Sequence, residues 1–149
     1  MRISAKEDYA VRAMIELAAA GAQSLKREQI SKAQTIPVHF LENILLELKR
    51  AQLVEATRGP DGGFRLSRPA TAITVADVIR AVTGPLASVR GVRPPALEYE
   101  GSAGRLKDVW VAVRSNIRAV LEHVTLADLA SGELPEQVLT ITRDPAVWE

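Results

Sequence analysis

Apolar residues recur with helical spacing along most of the chain, and the interruptions divide it into short elements. Tyr9, Ala13, Leu17 and Ala20, widened by Val11, Met14, Ile15 and Ala18, predict a first helix from Ala5 to Ala20, closed by Gly21. Leu25, Ile30 and Ala33 face inward in a short second helix, Lys26 to Ala33, with Lys26, Arg27, Glu28 and Lys32 mostly outward. Phe40, Leu41, Ile44, Leu45 and Leu48 form the buried stripe of a third helix, Pro37 to Arg50. Pro37 opens it at a position that needs no amide donor. Val38, His39, Glu42, Asn43, Glu47 and Lys49 are left for its other side.

The period then changes. Leu53 to Thr57 reads as a strand, Arg58-Gly59-Pro60-Asp61-Gly62-Gly63 as a turn, and Phe64-Arg65-Leu66 as the returning strand. Thr74-Val75-Ala76-Asp77 carries the acidic form of a capping box and opens a fourth helix to about Val82, stopped by Gly84-Pro85. Residues 86–104 hold Gly91, Pro94, Pro95, Gly101 and Gly104, show no period, and read as a loop. The longest helix follows, Arg105 to Val124. Leu106, Val109, Trp110, Val113, Ile117, Val120, Leu121 and Val124 give it an apolar stripe wide enough for a homodimer seam; packing on the first or fourth helix of the same chain is the alternative. Thr125-Leu126-Ala127-Asp128 opens a short helix that ends at Gly132, and Pro135 to Glu149 reads as a peripheral tail.

This order of elements predicts a mostly α fold with a small β-hairpin. Residues 1–83 form a winged helix-turn-helix domain, 84–104 a loop and candidate effector region, 105–134 a dimerisation helix with its short follower, and 135–149 the tail. Composition narrows the chemistry. The 149 residues include no Cys and two His, which excludes disulfides, thiolate catalysis, zinc fingers and cysteine-ligated clusters, so no cofactor or metal is expected. No apolar run reaches membrane-spanning length, and the N-terminus turns acidic at Glu7-Asp8, too early for a signal peptide; a cytoplasmic protein is expected. The net charge is +1, but residues 1–68 hold 11 Lys/Arg against 8 Asp/Glu while residues 69–149 hold 8 against 10. A mildly basic front half suits a DNA-facing surface.

A polar helix face fits the major groove, and a glycine-rich hairpin can lie on the backbone or enter the minor groove. The recognition-helix candidates are Val38, His39, Glu42 and Asn43. Asn43 has the amide that pairs with adenine, Glu42 the carboxylate that accepts from cytosine, and Val38 an apolar surface for a thymine methyl. Glu42 could equally bridge to a cation of the preceding helix, Val38 could begin the core, and His39 could meet a phosphate, a base or only water. Arg2, Lys6, Lys26, Arg27 and Lys32 are candidate phosphate contacts, and Arg58, Gly59, Asp61 and Arg65 belong to the wing. The wing glycines serve the turn, since neither a P-loop ending nor a βαβ unit accompanies them. Phe64 anchors the hairpin to the core.

These segments together resemble the Rrf2 family of bacterial transcriptional regulators. Met1-Arg2-Ile3-Ser4 with Tyr9-Ala10-Val11-Arg12-Ala13-Met14 resembles its first helix, Ile36 to Leu45 its recognition helix, and Leu48 to Val54 its helix-to-wing junction. Arg58-Gly59-Pro60-Asp61-Gly62-Gly63-Phe64-Arg65-Leu66 resembles its wing, and the segments at Ile73 and Val124 its later signatures. The resemblance spans about residues 1–131. It implies a homodimer that binds palindromic promoter DNA, usually as a repressor, with Glu42 and Asn43 in the base-reading segment and Arg58, Gly59 and Asp61 in the wing. Many members hold an iron–sulfur cluster on three cysteines; Val92, Glu98 and Gly104 stand roughly where those would be, and Lys107 near a fourth ligand. In place of a cluster, a small molecule or partner protein is the candidate effector, with Arg90, Arg93, Tyr99 and Trp110 as candidate contacts. Two other classes fit less well. One is a winged-helix protein-interaction module without specific DNA binding. The other is an enzyme, for which the scattered acids and the serines with His39 or His123 supply no triad pattern.

Overall fold

The computed structural model describes residues 1–149. Seven α-helices and one hairpin follow in the order α1 Ala5–Ala20, α2 Arg27–Gln34, α3 Val38–Arg50, β1 Val54–Thr57, β2 Gly63–Leu66, α4 Val75–Thr83, α5 Leu106–Leu121, α6 Leu126–Ser131 and α7 Glu136–Thr142. The strands are antiparallel, with Val54 opposite Leu66 and Thr57 opposite Gly63. No helix is long and apolar enough to cross a membrane.

One core of 16 residues holds the N-terminal elements together. Ala10, Ala13, Met14 and Leu17 of α1 meet Ile30, Ile36, the α3 stripe Leu41, Ile44, Leu45 and Leu48, and Ile73, Val78 and Val82 around α4. No polar side chain is buried, so apolar burial, not an internal polar network, supplies the driving force. Small residues on α1 let four helices approach it. Its start is set by Ser4, whose hydroxyl accepts from the Glu7 amide (3.2 Å) while the Glu7 carboxylate accepts from the Ser4 amide (2.6 Å). Burial pushes the Glu7 carboxyl up, but hydrogen bonds from the Ser4 amide and the Thr83 and Ser4 hydroxyls outweigh it and hold its pKa below the ordinary value. The Thr83 bond, 2.8 Å, ties the start of α1 to the end of α4.

The C-terminal part of the chain returns to this core. Thr74 and Thr125 cap α4 and α6 with matching boxes, through Asp77 and Asp128. The two entry segments pair antiparallel: the Val75 amide donates to the Val124 carbonyl (3.0 Å) and the Leu126 amide to the Ile73 carbonyl (2.9 Å). Leu126 is fully buried, and α6 packs on α1.

Two expectations change, and two segments gain detail. Phe40 is not in the buried stripe: it is 49% exposed, because the first turn of α3 carries it past the core edge, where its ring leans on Tyr9 at 6.1 Å. Val124 is not on the long helix, since α5 ends at Leu121, and its side chain is buried in its own chain beside the paired segments. Residues 86–104 lack a period because they are built from turns, two of them 3-10, yet Leu86, Pro94 and Leu97 are buried. The tail contains α7 and a 3-10 turn, and Gln137 donates to the Ala119 carbonyl of α5 (3.2 Å).

Helix α5 has no fully buried residue. Ile117 and Leu121 rest on the cluster of Ala76, Ile79 and Leu86, and the turn at Pro94–Ala96 packs against the helix. Its last turn is fastened by Glu122, which accepts from Arg118 of α5 (2.8 Å) and from Arg80 of α4. The hydrogen bonds of Arg118 and Arg80 hold the Glu122 carboxyl at about 2, well below the usual carboxylate value. A carboxyl depressed in this way stabilises the fold above its unfolded pKa and loses that contribution as pH falls toward the folded value. Thermal unfolding of the native chain and Glu122→Gln should therefore differ at pH 7, the native chain being more stable, and converge between about pH 4.5 and pH 2.

Candidate nucleic-acid interface

The apolar stripe of α3 is buried, so its opposite side is presented to solvent. His39, Asn43, Leu46 and Arg50, spaced by four, three and four, form an exposed ridge along it. Val38 and Phe40 flank the ridge at the first turn, both exposed. The two carboxylates beside it are taken up by neighbouring helices. Glu42 accepts from Arg27 of α2, and Glu47 from Lys6 of α1 at 2.9 Å. Arg27 also pairs with Glu28 at 3.0 Å, and the hydrogen bond with Glu28, together with the Glu42 charge, raises its pKa. Lys49 and Arg50 have no ion-pair partner.

The wing is fixed at its root and free at its tip. Phe64 exchanges backbone hydrogen bonds with Leu25, at 2.9 and 2.7 Å, which adds the entry to α2 as a third edge of the hairpin. Gly63 allows that approach, and Gly62 the tight turn that passes back over Thr57. A Cβ on Gly63, at φ +148, would lie 2.6 Å from the Leu25 carbonyl oxygen, and one on Gly62 2.1 Å from that of Thr57. Arg58, Gly59 and Asp61 project at the exposed tip. Arg65 is paired with Glu55, its cross-strand neighbour.

The sequence-derived site residues therefore fall into groups. Val38, His39, Asn43, Glu42, Arg27 and Lys6 gather on or beside α3. Lys26 and Arg27 line one shallow cleft with Gly59, Gly62 and Gly63, joining the wing to α2. Arg2 is away from α3, on the rim of the largest cleft, about 630 Å³, with Ile79, Leu86, Ile117 and Leu121 at the α4–α5 junction. None of Arg90, Arg93, Tyr99 and Trp110 lines that cleft. The Arg90 guanidinium instead stacks over the Tyr99 ring at 5.9 Å, and Trp110 is half-buried on α5. Two ridge members, Leu46 and Arg50, were absent from the sequence-derived set. Their signal was the i, i+4, i+7, i+11 spacing from His39.

Residues 3–132 match the model of the Rrf2 family, described as an iron-dependent transcriptional regulator. The chain belongs to the Rrf2 family. Its Rrf2 relatives include Rv1287 of Mycobacterium tuberculosis H37Rv, named for the HTH-type transcriptional regulators and 49% identical over 145 residues, with 97% of this chain and 90% of the relative covered. The HTH-type transcriptional regulator CymR of Bacillus subtilis is 38% identical over 134 residues, covering 88% and 91%. Its solved structure, described as that of the global cysteine regulator, superposes with a TM-score of 0.75, covering 88% of this chain and 97% of that one. IscR of T. potens gives 0.73 at 31% identity, covering 90% and 89%. The Rrf2 family is one of transcriptional regulators, not enzymes.

The iron in the family description has no matching donor set here. The chain has no thiolate. Val92 exchanges backbone bonds with Val89, while Glu98 and Gly104 are exposed. No three His, Asp or Glu side chains converge. These residues do not fit a thiolate-held cluster.

Gly63→Ala should lower the unfolding free energy by about 1–3 kcal/mol, because the Leu25 backbone cannot yield. Denaturant titration measures this, and retention of the native midpoint would contradict the wing anchor.

Proposed function

We propose that the protein is a homodimeric, sequence-specific repressor that binds palindromic promoter DNA without an iron–sulfur cluster. The observation that carries this reading is the α3 ridge standing exposed beside a rigidly rooted, glycine-rich wing. α3 lies in the major groove, with His39 and Asn43 toward base edges. Lys26, Arg27, Lys49 and Arg50 face phosphates, and the wing carries Arg58 to the flanking backbone or minor groove. Occupying a promoter in this way blocks the polymerase.

Dimerisation runs through α5. Its outer flank is led by Val109 at 53% exposure, with Val113 and Val120 half-buried. Two recognition helices must stand about 34 Å apart to enter successive major grooves, and a pair of α5 helices sets that separation. Segment 84–104 leans on α5 through Pro94–Ala96, so an effector bound there would act on the same angle.

Selection of genomic fragments at about 150 mM salt is the direct test, with an enriched palindrome as the expected result. No enrichment together with stoichiometric capture of one protein would favour an interaction module instead. The double variant Val109→Glu/Val113→Glu should sediment as a folded monomer and bind the operator at least about a hundredfold more weakly. Operator affinity should also be unchanged by a nitric oxide donor or an iron chelator, as read by fluorescence anisotropy.

A further inference from the structure

We propose that Leu46 reads DNA bases, recognising the C5-methyl group of a thymine in each operator half-site. The inference starts from the reading of α3 as a recognition helix. Leu46 is 46% exposed, whereas the core leucines of the same helix, Leu41, Leu45 and Leu48, are at most 1% exposed. A solitary exposed leucine is ordinary on a protein surface; its place here is not. It stands on the outward ridge between Asn43 and Arg50, where the other ridge members are polar or charged.

Its surroundings match the cross-section of a major groove. On one side Leu46 lines a cleft with Lys6, Asn43 and Arg50, and on the other a cleft with Arg27, Glu42 and Lys49. Leu46 is thus a single apolar point between two flanks, each left with one unpaired cation, Arg50 on one and Lys49 on the other, since Lys6 and Arg27 are paired with Glu47 and Glu42. A groove offers the complementary pattern of phosphates on both rims and base edges on the floor. The one apolar group on that floor is the thymine methyl. Asn43, one turn before Leu46, addresses the neighbouring base pair, so apolar and amide readout alternate along one ridge.

The test uses the full-length protein and the operator recovered by selection. Each thymine is replaced in turn by deoxyuridine, which removes only the methyl. The expected result is one symmetric thymine per half-site at which the replacement weakens native binding about three- to fivefold, with no further penalty at that position in Leu46→Ala. Uniform tolerance of deoxyuridine by the native chain overturns the assignment without any variant. So does a penalty that persists undiminished in Leu46→Ala, which places the methyl against another residue. These outcomes are separate from failure to select any duplex, which would overturn the regulator reading itself.

Discussion

The Val75 amide donates to the Val124 carbonyl and the Leu126 amide to the Ile73 carbonyl, and this clasp decides where the second half of the chain can go. It adds directional backbone pairing to the apolar burial that brings the chain leaving α4 back to the core. With it, Leu126 enters the same core as Met14 and Leu17, and the long helix between the two clasped segments is held at its C-terminal end. Ile117, Leu121 and the Glu122 pairs with Arg80 and Arg118 then set its direction. The helix that would join two protomers is thereby coupled to the body that carries α3.

The recognition surface depends on that same core from the other side. Four apolar residues of α3 are buried, so the opposite ridge is fixed in direction by packing and not by any contact of its own. Arg27 and Lys6 reach in from α2 and α1 and hold the two flanking carboxylates. The wing is held by Leu25 and Phe64, which makes α2 the common support of ridge and hairpin.

Much of this was legible in the sequence because it rests on local rules. The capping boxes at Thr74 and Thr125 mark two helix starts within a residue, and the Gly-Pro-Asp-Gly-Gly turn marks the wing. What was not legible depends on partners distant in sequence. Phe40 shares the spacing of the buried stripe, yet it lies half-exposed at the core edge beside Tyr9. Val124 continues the α5 stripe in register, yet its pairing with Val75 takes it out of the helix. Glu42 was open between a base and a cation until Arg27, fifteen residues earlier, supplied the cation. Of the candidate effector residues, Arg90 and Tyr99 meet while none lines the cleft at the α4–α5 junction, an arrangement that aperiodic sequence gives no handle on.

The ion pairs beside α3 also bear on how binding is driven. Neutralising phosphates with free cations sheds condensed counterions, and that release makes affinity fall as salt rises. Lys6 and Arg27 reach the interface already neutralised by Glu47 and Glu42. In the proposed complex they would approach the duplex as ion pairs and release few counterions. The salt-dependent share would then rest on the unpaired cations, Lys26, Lys49, Arg50 and Arg58, and would be smaller than the number of basic residues on that surface suggests.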